Sequence, residues 1–320
     1  MALDNKEIYK KTIGFSIRRL LWDILATIIL VGCTTAGFFI LESTANLGLL
    51  GLGVGAIVGG IGTYIVLHYF AFSYKAGQIA MMTQGVAEGK LPDDVIGAGK
   101  QIVKERFSTV AAYYVVTGAI KGVFRQIGNG ITAVGEAVGG DSGGAIGSTI
   151  SAIINTIVDY LCDCCLGWVF YRKDVKATKA TCEGAVLFFK HGKTLAKNLG
   201  RVFGMSILSF ILIGGVFTGI FFLIFNAFPD TFTALSEAII RVGEDIPAWV
   251  SDTVTLTWVC SGIAGIIIWS ILHSTFVRPF ILVGVLRNYI ESGKKDMPSE
   301  KDFDELDSKS KKFQKLHAEL

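Results

Sequence analysis

Two aspartates, Asp159 and Asp163, stand one helical turn apart within a long apolar stretch of the sequence. An ionised carboxylate near the middle of a bilayer costs roughly 2.5–3.5 kcal/mol on insertion scales, so it must face other helices, a partner or water. The pattern admits a cation or proton site, and equally a protonated or hydrogen-bonded packing residue. Lys121, in the preceding apolar stretch, is the expected partner of these carboxylates if the two helices are adjacent.

Two histidines are the other candidates for a solute or ion pathway. His68 lies near the end of the second apolar stretch, and His273 lies within the last one. An imidazole can relay protons near physiological pH. A single histidine near a helix end is more often a packing residue whose hydrogen bonds are satisfied, so both interpretations stay open.

The remaining motifs do not support a metal site or catalysis. Cys162, Cys164 and Cys165 form a C-x-C-C run whose side chains on a helix do not converge on one ion, so S-acylation or apolar packing is expected instead. The Gly-Lys-Thr at 192–194 lacks the earlier glycine of a phosphate-binding loop, because Leu187 occupies that position. We therefore predict neither an enzyme nor a cofactor.

The composition is typical of a membrane protein that crosses the bilayer several times. The chain has 320 residues, of which 51% are hydrophobic, with 38 glycines and a mean hydropathy of +0.54. These values are too apolar for an ordinary soluble domain. Because the formal net charge is only +3, no nucleic-acid partner is predicted, and the lipid bilayer is the expected surrounding.

Apolar runs long enough to cross a bilayer predict the fold. We expect an all-α, polytopic membrane helical bundle over 1–290, with amphipathic helices at its cytoplasmic surface, and a charged, solvated cytoplasmic tail over 291–320. About six spans are predicted, at 20–41, 49–72, 107–124, 148–170, 202–228 and 255–286. The third has only about 18 residues and includes Lys121, so a re-entrant or interfacial helix is an alternative there.

Small residues in the second predicted span indicate close helix packing. Gly51, Gly55 and Gly59 recur every four residues and share one helical face. Such spacing lets two helix backbones approach each other in lipid, where packing replaces the hydrophobic driving force. A substrate path lined by bare backbone is the alternative.

A basic segment follows the fourth predicted span. From Arg172 to Arg201 the chain carries eight lysines or arginines. Its phenylalanines favour an amphipathic helix on anionic inner-leaflet lipid, where each cation adds about 1 kcal/mol of attraction. Docking of a partner protein is the alternative. The residues predicted to make either contact are Arg172, Lys173, Lys176, Lys190, Lys193 and Lys197.

The distribution of charge predicts the orientation. On the six-span map, 27 of the 30 lysines and arginines fall on one side of the membrane, and only Lys121, Arg125 and Arg241 fall on the other. Lysine and arginine near membrane ends are retained in the cytoplasm. Both termini are therefore predicted to be cytoplasmic, in the plasma or inner membrane.

The order of several motifs resembles the C-terminal half of the choline transporter-like family. These motifs are the run Tyr160–Trp168, the following helix with Cys182 and Phe188–Phe189, the stretch Asn198–Val202, and the stretch Leu286–Glu291. The resemblance covers about residues 105–300, and the family's further N-terminal spans and large outer loop have no counterpart in this sequence. It implies transport of choline or a related amine, with Trp258 and Trp269 as cation–π contacts.

Two functions follow from these patterns. The first is a small-solute or ion transporter with a polar site at Asp159 and Asp163. The second is a non-catalytic accessory or scaffold subunit of a membrane complex, or a homo-oligomer, that uses the glycine face and the basic segment as contact surfaces.

Overall fold

The computed structural model describes residues 3–139, 158–241 and 247–320. Over these ranges every regular element is helical, so the predicted all-α class is confirmed for them. The helices, numbered here in chain order, are α1 Asn5–Ala45, α2 Gly48–Glu88, α3 Val95–Arg106, α4 Val110–Gly139, α5 158–171, α6 Ala177–Ser209, α7 Gly215–Asn226, α8 Pro229–Ile240, α9 Ala248–Ser251, α10 Thr253–Lys295, α11 Glu300–Lys309 and α12 Lys311–His317.

The chain divides into two compact units. Unit 1 comprises Met1–Phe15, Lys75–Val202 and Pro279–Leu320, and unit 2 comprises Ser16–Tyr74 and Phe203–Arg278. Four helices contribute residues to both units, because α1, α2, α6 and α10 each run past a unit boundary.

Unit 2 has the surface of a membrane-embedded protein. Within the described ranges, all but four of the large apolar side chains that are more than a third exposed belong to it, the four being Val115, Phe280, Met297 and Leu320. A surface this apolar is unfavourable in water and suits lipid, where no hydrophobic force opposes it.

Four described helices are long and apolar enough to cross a membrane, namely Asn5–Ala45, Gly48–Glu88, Gly204–Asn226 and Thr253–Lys295. The predicted count of six spans is not confirmed. The predicted third span coincides with a shorter apolar helix, Val110–Val123. Of the predicted fourth span, 148–157 lies outside the described residues, and the remainder belongs to α5 in unit 1.

Unit 1 is built around a helix that is apolar on every side. All residues of α5 from Val158 to Phe170 are buried, apart from the partly exposed Asp159. A helix that is hydrophobic all round must be enclosed, either by lipid or by other helices. Here protein encloses it: Trp168 is fully buried and packs edge-on against Tyr289 of α10, with ring centroids 6.4 Å apart. Hydropathy alone does not distinguish these two surroundings for a run of this length.

The C-terminal segment is part of the core of unit 1. Leu306 of α11 and Phe313 of α12 are fully buried in a cluster with Val123 of α4 and with Cys182 and Val186 of α6. This differs from the solvated tail that the charge content of 291–320 predicts. The charged side chains lie on the outer faces of α11 and α12, and the few apolar ones decide where these helices pack.

Three wide helical turns interrupt the long helices of unit 2. They lie at Val66–Ala71, Phe210–Gly214 and His273–Val277, and each has π-helical hydrogen bonding. The last one directly precedes Arg278 and Pro279. Proline lacks an N–H and clashes with the preceding turn, and a widened turn relieves that conflict.

Candidate functional site

The structure places the predicted site carboxylates in unit 1 and gives each one a lysine partner. The Nζ atom of Lys121 lies 3.3 Å from Oδ1 of Asp159, and these side chains are 45% and 41% exposed. The expected pair of Lys121 and Asp159 is thus present, at the surface of unit 1. Ion pairs this accessible to water contribute at most about 1 kcal/mol. A pathway role for these residues stays a prediction.

Asp163 occupies a different environment although it lies only one turn further along α5. Its side chain is 4% exposed, and its Oδ1 atom lies 2.8 Å from Nζ of Lys75 on α2. A buried carboxylate requires such a partner, because its loss of hydration is otherwise uncompensated. Lys75 was not among the predicted site residues. The sequence feature that could have identified Lys75 is its position as the first charged residue after the apolar run of the second predicted span.

The two histidines belong to unit 2, and each lies in a widened turn. His68 stacks on Tyr64, with ring centroids 4.7 Å apart, and meets Tyr69 edge-on at 5.2 Å. His273 shares a 3.0 Å hydrogen bond with the hydroxyl of Ser206 and lies 5.3 Å from the ring of Trp269. Both histidines therefore have partners, as packing residues do.

Unit 2 contains an ionic cluster whose residues were not among the predicted site residues. We call it the Asp23 cluster, and it consists of Arg19, Asp23, Ser274 and Thr275. Asp23 is 7% exposed, accepts a 3.0 Å hydrogen bond from the hydroxyl of Thr275, and lies 3.5 Å from Nε of Arg19. Arg19 in turn donates to the carbonyl and hydroxyl oxygens of Ser274, at 3.4 and 3.5 Å. The signal in the sequence was an arginine four residues before an aspartate at the start of the first apolar run.

The Asp23 cluster joins the middle of α1 to the widened turn of α10. Charged side chains within membrane spans are costly, and they commonly mark ion or substrate paths. Widened helical turns are likewise frequent at functional sites. The cluster is also self-neutralising, since a cation and an anion satisfy each other. It can therefore serve either as a titratable site or as a polar contact that fixes the helix arrangement.

The glycine face of α2 packs directly against α1. Gly51, Gly55 and Gly59 are all buried. A methyl group on Gly59 would lie 2.9 Å from the Cα atom of Leu30, and one on Gly51 or Gly55 would collide with backbone carbonyl groups of α1. The backbones therefore touch as the packing interpretation expects, which leaves no space for a path along this face.

Two of the predicted contact residues of the basic segment form ion pairs with carboxylates of unit 1. Arg172 pairs with Asp174 at 2.8 Å and with the buried Glu183 at 2.7 Å, and Glu183 also accepts a 3.2 Å hydrogen bond from Trp168. The hydrogen bonds that Arg172 donates to the carboxylate of Asp174 raise the pKa of its guanidinium. Lys190 pairs with two carboxylates, those of Asp296 at 2.7 Å and Asp302 at 3.0 Å.

Other lysines of the basic segment lie at the surface. Lys173, Lys176 and Lys179 are exposed. Lys193 and Lys197 are positions of α6, but their side chains lie outside the described residues. Among the described residues of the basic segment, the exposed lysines therefore lie at 173–179, just before and within the first turn of α6.

The cysteines are enclosed in the core of unit 1. Cys162, Cys164, Cys165 and Cys182 are each at most 4% exposed. Burial raises the pKa of Cys162 and of Cys182 to about 12. A protonated, inaccessible thiol is a poor nucleophile and a poor acyl acceptor, so this arrangement favours the packing interpretation. No group of three potential metal-ligating side chains occurs among the described residues.

Comparison with known proteins gives no relative for this chain. No protein family, no curated protein and no solved structure matches it significantly.

Proposed function

We propose that this chain is an integral membrane protein that acts as a non-catalytic accessory or scaffold subunit, with unit 2 as the anchor and unit 1 as the contact module. The observation that carries the proposal is the contrast between the two surfaces. Unit 2 exposes apolar side chains almost throughout, whereas unit 1 encloses its own apolar core and presents charge.

The charge distribution supports a cytoplasmic position for unit 1. All but four of the 30 lysines and arginines belong to it, the four in unit 2 being Arg18, Arg19, Arg241 and Arg278. Basic residues near membrane ends are retained in the cytoplasm. The contact surface is then the exposed lysine group Lys173, Lys176 and Lys179, which attracts an acidic partner protein or anionic lipid.

Purification of the full chain from its native membrane tests the scaffold proposal. We expect a stoichiometric protein partner to co-purify with the wild type and to be lost when Lys173, Lys176 and Lys179 are all changed to Glu. The matched control changes three other exposed lysines of unit 1, Lys6, Lys90 and Lys104, to Glu and retains the partner. A chain that purifies alone, or a partner that survives the first triple variant, contradicts the proposal.

Solute or ion movement is a second candidate, and the Asp23 cluster is the observation that favours it. In this case the titratable carboxylate is Asp23 rather than Asp159, with His273 on the adjoining turn of α10. The resemblance to the choline transporter-like family points the same way. The two tryptophans that the resemblance implies as cation–π contacts each have a partner in unit 2. Trp258 stacks on Phe222 with ring centroids 4.1 Å apart, and Trp269 donates a 3.1 Å hydrogen bond to Ser209.

Flux measurements on proteoliposomes test this second candidate. With a potassium gradient, valinomycin and a pH-sensitive dye inside, a proton pathway through Asp23 acidifies the lumen, and Asp23→Asn abolishes the signal. The control Asp159→Asn leaves the flux unchanged. Equal signals from protein-free and wild-type vesicles contradict a proton pathway. Uptake of tritiated choline by the same vesicles separately tests transport of the amine that the resemblance implies.

A further inference from the structure

Two stacked aromatic pairs lie on the surface of unit 2. Trp22 of α1 stacks on Phe70 of α2 with ring centroids 4.9 Å apart, and Phe222 of α7 stacks on Trp258 of α10 at 4.1 Å. Phe70 and Trp258 are 48% and 51% exposed. These rings therefore contact whatever surrounds unit 2.

The two pairs lie at different levels along the helices. The hydroxyl of Thr275 on α10 donates a 3.0 Å hydrogen bond to Asp23, so position 275 of α10 is level with the residue that follows Trp22. Seventeen residues of α10 separate Thr275 from Trp258, which corresponds to about 25 Å along the helix axis. The hydrocarbon core of a bilayer is about 30 Å thick, so the two levels are separated by nearly this thickness.

Both tryptophan side chains lean away from the middle of unit 2. The end of α1 and the beginning of α10 lie on the same side, because α8 contacts both: Arg241 pairs with Glu42, and Ser236 donates a hydrogen bond to the last residue of α9. Side chains of a helix point back towards its N-terminus. From each tryptophan this direction leads away from the other pair, so the indole rings are further apart than the backbone positions.

The chain between the two levels is uncharged and exposes apolar side chains. Ile28 of α1 and Ile266 of α10, for example, are 63% and 48% exposed. Lysine, arginine, aspartate and glutamate are absent from 24–41, 48–74, 202–229 and 253–277. A surface of this kind suits hydrocarbon, where a charged side chain would be costly.

We propose that the two aromatic pairs bind the headgroup regions of the two leaflets and so fix the depth of unit 2 in the bilayer. This inference rests on the proposed role of unit 2 as the membrane anchor. A tryptophan ring is apolar while its N–H needs an acceptor, and the membrane interface offers both surroundings. The Asp23 cluster, next to Trp22, then lies at a headgroup region, where charges are less costly than at the bilayer centre.

Fluorescence quenching in vesicles tests the proposal. The full chain is reconstituted in phosphatidylcholine that carries bromine atoms either near the glycerol or near the ends of the acyl chains. The emission lost in Trp22→Phe, Trp258→Phe or Trp269→Phe reports the tryptophan that was removed. Trp22 and Trp258 should be quenched at least twofold more by the shallow bromines than by the deep ones. Trp269, which lies between the two levels, should show the opposite order.

A tryptophan moved along α1 is the matched control. Ile28→Trp combined with Trp22→Phe shifts the ring by six residues, about 9 Å towards the bilayer centre, and its quenching should follow the order of Trp269. Deep quenching of Trp22 or Trp258, or no quenching of either because a second copy covers them, would overturn the proposal alone if Trp269 is still quenched. Absence of quenching at Trp269 as well would also overturn the role of unit 2 as the anchor.

Discussion

At the scale of single residues, burial separates two aspartates that look equivalent in the sequence. Asp159 and Asp163 share a helix and a spacing of one turn, and each pairs with a lysine. Asp159 and Lys121 remain in contact with water, whereas the Asp163 carboxylate is almost completely enclosed. The energetic consequences of the two pairs therefore differ, because screening by water weakens only the exposed one.

Asp163→Asn should destabilise unit 1 by about 2–3 kcal/mol. Loss of one member of a buried ion pair costs 3–5 kcal/mol, and the partial exposure of Lys75 reduces that figure. Asp159→Asn, the matched control, should change the unfolding free energy by less than about 1 kcal/mol. Denaturant unfolding of the solubilised protein measures both. Equal effects of the two substitutions would show that the burial difference does not govern these pairs.

Asp302 should make stability depend on pH in the acid range. Its carboxylate accepts hydrogen bonds from the backbone N–H and the hydroxyl of Ser299, at 2.8 and 2.7 Å, and pairs with Lys190. The backbone bond is the main cause that lowers its pKa from 3.8 to about 2. Because the folded-state pKa lies below the unfolded value, this stabilisation is complete above about pH 4 and is lost as the pH falls towards 2.

The variant Asp302→Asn tests that dependence. It should lose about 1 kcal/mol at neutral pH, as expected for a weakened helix cap. Its melting temperature should then fall less than that of the wild type between pH 5 and pH 2.5. Parallel curves for the two proteins over this range would contradict the assignment.

At the scale of helices, close contact between α1 and α2 explains why glycine occupies three positions of α2. Two other glycines of the same helix do not share this constraint: a methyl group on Gly53 or Gly60 meets no atom within 4 Å. Position around the helix therefore separates required glycines from permissive ones.

Gly55→Ala should lower the melting temperature of the solubilised protein by several degrees. The added methyl group collides with the backbone of α1 near Cys33 and must push the two helices apart. Gly53→Ala, two residues away, should leave the melting temperature unchanged or raise it, because alanine favours a helix more than glycine does. A larger loss for Gly53→Ala than for Gly55→Ala would contradict this packing.

The helices α11 and α12 behave as core elements rather than as a tail. Phe313→Ala should destabilise unit 1 by about 3 kcal/mol, because large-to-small changes at a fully buried phenylalanine leave a cavity. Leu320→Ala, at a side chain that is 50% exposed, is the control and should have little effect. If both substitutions are neutral in denaturant unfolding, the C-terminal segment is solvated after all.

The sequence predicts some elements of this fold well and others poorly, for physical reasons. The helix class and the glycine contact follow from periodicity and small-residue spacing, which are local properties. The environment of α5 does not, since an apolar run of its length is equally suited to lipid and to a protein core. The pairing of Asp163 with Lys75, and the approach of Asp23 to Thr275, depend on tertiary contacts between distant parts of the chain.

At the scale of the whole molecule, four described helices are long and apolar enough to cross a membrane, and the proposed function assigns unit 1 to the cytoplasm. This arrangement differs from the six-span prediction most clearly at Arg125 of α4. Six spans place Arg125 on the outer side of the membrane. If unit 1 is cytoplasmic as a whole, Arg125 is on the inner side, together with Lys176.

Cysteine labelling of intact cells tests this arrangement most directly. Thiols are introduced at three exposed positions by Arg125→Cys, Lys176→Cys and Asp230→Cys. A membrane-impermeant maleimide reports whether each thiol is accessible before and after lysis. The wild type is the control for labelling of the native thiols. The four-span account predicts labelling of Asp230→Cys in intact cells, and of Lys176→Cys and Arg125→Cys only after lysis. Labelling of Arg125→Cys in intact cells, with Lys176→Cys still protected, would contradict it.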